Sequence, residues 1–274
     1  MRYKLAPSLI GAGRTVQSAG FPLTARADLI WPEHPEANDP TQYIHLNSSL
    51  IAPIEGDTPK ATGHGPRAPG GNRSVWIPPG EWQDGWTGAS VTGPKTMTVT
   101  ATESEGKFNI PMWHKAGAVV VIVSDGKQRI NSQDWAELTI EGFPSATRDT
   151  AIREIFEQDF TGHADDAVTR VELHTDGAGQ VTVSIGASPA TLRSGRAWVV
   201  RLHLRVGRML VLGPDTAPAN VVASLVHLQP NCEPGHDHFP FLGAGARPAC
   251  SAGVVAEFRL PASSAAQQIK AMLV

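Results

Sequence analysis

Val75-Trp76-Ile77-Pro78-Pro79-Gly80-Glu81-Trp82-Gln83-Asp84-Gly85-Trp86-Thr87-Gly88 is the stretch on which the fold of this chain turns. Taken alone, it is a β-strand, a Pro-Pro-Gly turn and a second, aromatic-rich strand. Val, Ile and Trp suit a pleated backbone, whereas Pro and Gly interrupt it. Trp82 and Trp86 are four residues apart and share a face of an extended chain, because side chains alternate with a period of two. Such a pair is either a stacking platform for a sugar ring or core packing. Tryptophan is mostly buried by packing, which favours the second.

Downstream, the texture is the same. After the loop-like Gly63-His64-Gly65-Pro66-Arg67-Ala68-Pro69-Gly70-Gly71, short β-like runs follow at 74–77, 96–102, 118–123 and 137–140. A second set lies at 151–156, 168–174, 180–185, 197–206, 221–228 and 254–260. Turn residues separate these runs at the spacing of β-sandwiches. Upstream, Tyr3, Ala6, Leu9, Ile10, Gly13 and Val16 fall near a 3.6-residue period, which predicts a helix over 2–19 that stops at Gly20. Leu23 to Trp31 reads as a strand. Asp39 as cap and Pro40 at the first position predict a short helix over Thr41–Leu46. Leu50-Ile51-Ala52-Pro53-Ile54 reads as another strand.

The helix–strand–helix order resembles the end of an α/β barrel, with one barrel strand where a closed barrel needs eight. The expected fold is therefore mainly β: two consecutive antiparallel β-sandwiches preceded by the last helix–strand–helix of a (β/α)8 barrel. The expected domains are 1–48 as the barrel remnant, 49–135 as a proximal sandwich and 136–274 as a distal sandwich. Without the rest of a barrel, residues 1–55 are expected not to form a stable unit: Leu23, Leu29, Ile30 and Trp31 would lack most of their packing partners, and the first helix would expose Leu9, Ile10 and Val16.

Composition agrees. Gly 27 and Pro 22 of 274 residues favour many tight turns. The formal net charge of -3, with no basic stripe, gives no footprint for nucleic acid. No apolar run approaches the roughly 20 residues that span a bilayer. The start, Met1-Arg2-Tyr3-Lys4, is not followed by a signal-peptide core, so the chain carries no address of its own. Cys232 and Cys250 leave two readings open, a disulfide in an oxidising compartment or two buried thiols. Asn47-Ser48-Ser49 and Asn72-Arg73-Ser74 are sequons, a triplet that also arises by chance.

Four segments carry a resemblance to glycoside hydrolase family 31. Residues 75–88 resemble its V-x-L-P-x-G-x-W-x-D-x-W-T-G pattern, which lies in the first sandwich after the catalytic barrel. Pro111-Met112-Trp113-His114-Lys115-Ala116-Gly117-Ala118-Val119-Val120 resembles P-L-F-V-R-A-G-S-I-I-P. Arg2-Tyr3-Lys4-Leu5-Ala6-Pro7 resembles R-Y-x-L-L-P-Y. Gln42-Tyr43 with Leu50-Ile51-Ala52-Pro53-Ile54 resembles D-x-Q-Y-M-x-G-x-x-L-L-V-A-P-V. All four occur in the family's order and cover residues 1 to about 125 well. There are departures. The family's arginine after G-x-P-V-M falls on Ala25, with Arg26 one place on, and a one-residue shift in a strand points to the other face. Lys115, preceded by His114, stands where an Arg is usual. Phe156-Glu157-Gln158-Asp159 only echoes the distal Y-E-D-D-G turn.

The resemblance implies an α-glucosidase-like, retaining parent enzyme, with α-xylosidases and transglycosidases among its sisters. Its substrate would be an α-linked oligosaccharide, and the chain would pack against the missing barrel. The compartment stays open, with the secretory pathway (endoplasmic reticulum, lysosome or extracellular) favoured for that parent. Retaining hydrolysis needs two carboxyl groups roughly 5 Å apart. In the family these are barrel aspartates, one in a W-x-D-M-N-E motif that does not occur here. No residue is therefore assigned as catalytic, cofactor-binding or metal-binding, no cofactor is expected, and the chain alone is expected to be inactive. Asp28, on the one barrel-like strand, reads as a solvated or structural carboxylate. Cys232, His236, His238 and Cys250 have the chemistry of zinc ligands but fit no common zinc spacing. Asp165-Asp166 lacks EF-hand spacing and reads as a solvated turn. Gly243-Ala244-Gly245-Ala246 is followed by Arg247-Pro248 rather than a helix and reads as a turn. The alternative is a stand-alone carbohydrate-binding or interaction module, with a truncated or degraded paralogue as a third reading.

Overall fold

The computed structural model describes residues 5–52, 72–85, 88–100, 103–104, 107–108, 110–124, 135–156, 168–187, 196–204, 210–212, 222–227, 254–263 and 267–273. Trp86, Asp165-Asp166, Cys232, His236, His238, Cys250, Glu157-Gln158-Asp159, the 63–71 loop and Gly243–Ala246 lie outside them. The described chain is mainly β, with a single α-helix and no closed barrel. That helix is not long and apolar enough to cross a membrane.

The helix, α1 (Ala6–Ala19), starts with Pro7 in its first turn, where a missing N–H costs nothing. It ends at Gly20, which adopts φ 71° and donates its N–H to the Val16 carbonyl, the stop expected from the sequence.

Contacts group the chain into two units. One holds the described residues from Thr24 to Lys115. Its strands are β1 (Thr24–Arg26), β2 (Tyr43–His45), β3 (Ser49–Ile51), β4 (Asn72–Asp84), β5 (Ser90–Thr100), β6 (Glu103–Ser104), β7 (Lys107–Phe108) and β8 (Met112–Lys115). Six form one antiparallel sheet in the order β1-β2-β3-β8-β4-β5, and β6 pairs only with β7. The described part of this unit is thus one sheet and a ribbon, where a sandwich was expected.

Three local expectations are corrected here. The Pro78–Gly80 turn is an irregularity inside β4: the register shifts between Ile77 and Gly80, and both sides still pair with β5. Prolines cannot donate to the ladder, so the strand bulges past them without reversing. The helix over Thr41–Leu46 is strand β2, paired with both β1 and β3. Asp39 does accept hydrogen bonds from the Thr41 N–H at 2.8 Å and its hydroxyl at 2.6 Å, but they close a turn, not a helix. Leu46 and Asn47, with φ 53° and 55°, then reverse the chain into β3. The strand over Leu23–Trp31 shrinks to β1, followed by a 3-10 turn at Ala27–Leu29. Ile44, Leu50, Ala52, Val75, Ile77, Trp82 and Trp113 form the core of this unit.

The other unit holds α1, the residues up to Leu23 and the described residues from Ala116 onward. Its strands are β9 (Val119–Val123), β10 (Glu137–Gly142), β11 (Asp149–Phe156), β12 (Val168–Thr175), β13 (Gln180–Ile185), β14 (Arg196–Leu204), β15 (Leu210–Leu212), β16 (Val222–His227), β17 (Val254–Ser263) and β18 (Gln267–Leu273). They form two five-stranded sheets, β16-β17-β14-β10-β9 and β11-β12-β13-β18-β15. The pairing is antiparallel except between β10 and β14. Val121, Leu138, Ile140, Val200 and Phe258 from the first sheet share one core with Ile155, Val171, Val183 and Ile269 from the second. These are alternate positions of each strand, the period-two signature of facing sheets.

Helix α1 is part of this same unit and does not lack partners. Ala6 joins the core and Ile10 packs against it. The Ser8 hydroxyl donates to the Val121 carbonyl and accepts the Val121 N–H, both at 2.8 Å, capping the backbone of edge strand β9. The contacts therefore do not follow the expected 1–48, 49–135 and 136–274 division: residues up to Leu23 group with the later strands, and Thr24–Lys115 form the other body.

Candidate functional site

Around the β4 motif the aromatic side chains pack inward. Trp82 is 1% exposed, and its indole N–H donates to the Pro78 carbonyl at 2.9 Å. Its ring sits edge-on to Trp31, centroids 6.4 Å apart, and Trp31 in turn meets Trp76 at 5.9 Å. Gln42, itself buried, exchanges two 2.9 Å hydrogen bonds with the Trp76 backbone, donating to its carbonyl and accepting its N–H. A buried carboxamide thus satisfies backbone groups that would otherwise cost free energy. Trp82 is a packing residue; its expected companion, Trp86, lies outside the described residues.

The charged residues weighed from the sequence are tied up locally. Asp28 forms a bidentate pair with Arg26 at 2.8 and 3.0 Å, and Arg26 also donates to Asn38 at 2.6 Å. Ala25 is buried while Arg26 is partly exposed, so the one-place offset does put the arginine on the other face of β1. Arg73 pairs with Asp39 at 2.6 Å. Burial opposes the Asp39 charge, but hydrogen bonds from Thr41 and Arg73 outweigh it and hold the carboxyl below its ordinary range. His114, fully buried, shares a 3.0 Å hydrogen bond with Ser49, while Lys115 is exposed.

Sequence reasoning missed a buried ladder across β10, β14 and β17. Glu141, Arg201 and Glu257 are consecutive cross-strand partners. Arg201 donates to Glu141 at 3.2 Å and to Glu257 at 2.9 Å, and Glu257 also accepts from Arg259 at 3.1 Å. His203 Nε2 lies 2.6 Å from Glu141, its ring stacked on Phe143 at 4.5 Å. Burial opposes the Glu257 charge, but Arg201 and Arg259 overcome it and hold its carboxyl low. Burial likewise opposes the Arg201 charge, yet the two glutamates hold its guanidinium above its usual value. A carboxylate beside an imidazole is a proton-transfer pair in many enzymes. Here Glu141 is 0% exposed and bonded only to side chains named above, so the pair ties strands together. The only signal was an isolated charged residue within each of three apolar strands, and it became meaningful only with the register.

Two pockets open on this unit. One, of about 170 Å³, is lined by Pro144–Ala146, Gly177–Gly179, His203, Leu204 and Leu273, with no carboxylate side chain among these described residues. The other, about 430 Å³, is a shallow groove at the ends of β12, β13 and β18, lined by Arg170, Glu172, Ser184 and Gln268 on the outer face and by Ile185, Gly186 and Gln267 beside them.

No protein-family model matches the chain. An isomaltosyltransferase of Sporosarcina globispora is 27% identical over 141 residues, which is 50% of this chain but 11% of that protein. Among solved structures, the glycoside hydrolase family 31 dextranase of Flavobacterium johnsoniae superposes with a TM-score of 0.62 at 18% identity, over 98% of this chain and 31% of its own. The cycloalternan-forming enzyme of Listeria monocytogenes matches at TM-score 0.64 and 17% identity, over 99% of this chain and 22% of its own. The glucosidase II alpha subunit matches at 0.61 and 14%, over 100% of this chain and 28% of its own. The chain thus spans under a third of these structures and about a tenth of the curated relative. Nearly its whole length has the fold of a portion of glycoside hydrolase family 31 enzymes, consistent with their C-terminal part.

Proposed function

We propose that the chain is the non-catalytic C-terminal portion of a retaining glycoside hydrolase of family 31 acting on α-glucosidic bonds, and that it is inactive alone. The observation that carries this is the asymmetry of coverage: almost all of this chain matches, but under a third of each enzyme does. One matching dextranase is bound to isomaltotriose and the cycloalternan-forming enzyme to a pentasaccharide, which supports α-linked oligosaccharides as the parent's substrates. The chemistry agrees, since the carboxylates of Asp28, Asp39, Glu141 and Glu257 are each bound to an arginine or a neighbouring side chain. None forms the open pair that retaining hydrolysis needs.

The role left to the chain is support of the catalytic barrel. The row Arg26–Tyr43–Ile51–Met112 brings the end of β1 and the start of β8 to the same end of the six-stranded sheet. Just beyond that row are Leu29, 64% exposed, and Ile110, 52% exposed, two large apolar side chains suited to burial under a neighbouring domain.

Purified chain incubated with a chromogenic α-glucoside is expected to give no turnover above buffer. Turnover that co-purifies with the chain through successive columns overturns the proposal. Reading the coding sequence upstream of Met1 is the complementary check: an in-frame barrel with both aspartates is expected.

A further inference from the structure

The groove at the ends of β12, β13 and β18 is built from an ordered set of hydrogen-bonding side chains. Glu172, Ser184 and Gln268 are successive cross-strand partners, so they form one row across three strands, spanning roughly 10 Å at the usual strand spacing. Arg170, two residues before Glu172, stands on the same face. Opposite it the chain continues as Gly186, whose N–H donates to the Arg170 carbonyl at 2.7 Å. A Cβ at 186 would come within 3.2 Å of that carbonyl oxygen; the absence of a side chain there leaves the depression between Arg170 and Gln268 open.

The groups in the groove are held before any ligand arrives. Arg170 pairs with Glu172 at 3.1 Å, and the Gln268 carboxamide donates to the Ser184 hydroxyl at 2.9 Å. Among the described lining residues one positive and one negative charge cancel, so an ion gains little by entering. What remains is a guanidinium, a carboxylate, two carboxamides and a hydroxyl, donors and acceptors side by side. That set matches a neutral molecule carrying donor–acceptor groups on adjacent atoms, which is the chemistry of vicinal sugar hydroxyls. The aliphatic stems of Arg170 and Gln268 offer apolar surface for the C–H face of a sugar ring. A volume of about 430 Å³ falls in the usual range of ligand pockets, roughly 300–1,000 Å³, and holds a short oligosaccharide.

We propose that this groove binds a short neutral oligosaccharide, of the α-glucan class; the class rests on the function proposed above, whereas the groove's selectivity for a neutral polyol rests on its own side chains. Among the described residues that line it none is aromatic, so hydrogen bonds carry the binding and affinity is low.

The test is a ligand titration of the whole 274-residue chain, followed by NMR, with isomaltotriose, maltotriose and cellotriose. Isomaltotriose or maltotriose is expected to bind, and Gln268→Ala and Arg170→Ala each to weaken binding roughly three- to tenfold, the worth of one or two hydrogen bonds. Ser184→Trp, which fills the groove, is expected to abolish it. Both alanine sites are largely exposed, so their thermal midpoints should stay at the wild-type value. Binding that survives all three substitutions overturns the groove while leaving the parent's function standing. Binding of cellotriose alone, lost in the variants, overturns the α-glucan class for the groove and leaves the function proposed above to its own test. No binding of any trisaccharide overturns the groove.

Discussion

Gly11 of α1 lies directly on the backbone carbonyl of Glu154 in β11, so close that a methyl group at position 11 would overlap that oxygen. Gly13, one step around the helix, has nothing within 4 Å of where its Cβ would be. Two glycines that look alike in the sequence as weak points of a helix therefore have opposite meanings.

Substituting each by alanine should separate them. Gly13→Ala is expected to stabilise by about 0.5–1 kcal/mol, the helix-propensity gain. Gly11→Ala receives the same gain but must push α1 off β11, and overpacking of this kind costs about 1–3 kcal/mol. Its net effect is expected to be destabilising. Urea midpoints of the two variants give the signs. A stabilised Gly11→Ala variant would show that α1 does not sit on β11 as described.

Trp82→Ala is expected to cost about 3–5 kcal/mol, since it removes a fully buried ring and orphans the Pro78 carbonyl. Trp82→Phe should cost less, because most of the packing survives. In neither variant should trisaccharide binding by the still-folded protein change. Weakened binding at an unaltered unfolding midpoint would make Trp82 a sugar platform after all.

Glu257 has its carboxyl held below the ordinary range in the folded chain, against the cost of burial, by Arg201 and Arg259. A depressed folded value means the stabilisation is fully present above the unfolded value, about pH 4.3, and is lost as pH falls through the folded one. Asp39 has the same sign. Stability should therefore drop between about pH 5 and pH 3. The drop should be shallower in Glu257→Gln, which cannot titrate there. Urea midpoints across that range test it, and an acid limb equally steep in both proteins would remove Glu257 from the account.

What was legible in the sequence was whatever depends on near neighbours. The Gly20 stop, the alternation in 151–156, 168–174 and 180–185, and the burial of Trp82 all follow from local pattern and residue size. Asp39-Pro40 misled because the same two residues start a helix or a turn, and pairing with β1 and β3 decided for a strand. Strand β18 went unread because Gln267-Gln268-Ile269-Lys270-Ala271-Met272-Leu273 buries only Ile269 and Ala271, too sparse a stripe to count as alternation. The Glu141–Arg201–Glu257 ladder was beyond reach, since its members lie about 60 residues apart and meet only through register. The groove was equally hidden, because Ser184 and Gln268 are 84 positions apart.

Helix α1 and strands β17 and β18 complete the same body from opposite ends of the chain, with the six-stranded sheet encoded in between. On a ribosome this order has a cost. The six-stranded sheet can close once Lys115 has emerged, but α1, made before it, must wait for β9 and β11 before its apolar face has anything to cover. The central β10–β14 pair waits longer still, because its parallel alignment needs the three strands of the opposite sheet to be threaded between its halves. Strand β18, later than all the others in this body, then closes the core through Ile269. A nascent chain stalled before β11 leaves the apolar face of α1 uncovered, and one stalled before β18 leaves β13 without its partner strand, forms on which chaperones and proteases act.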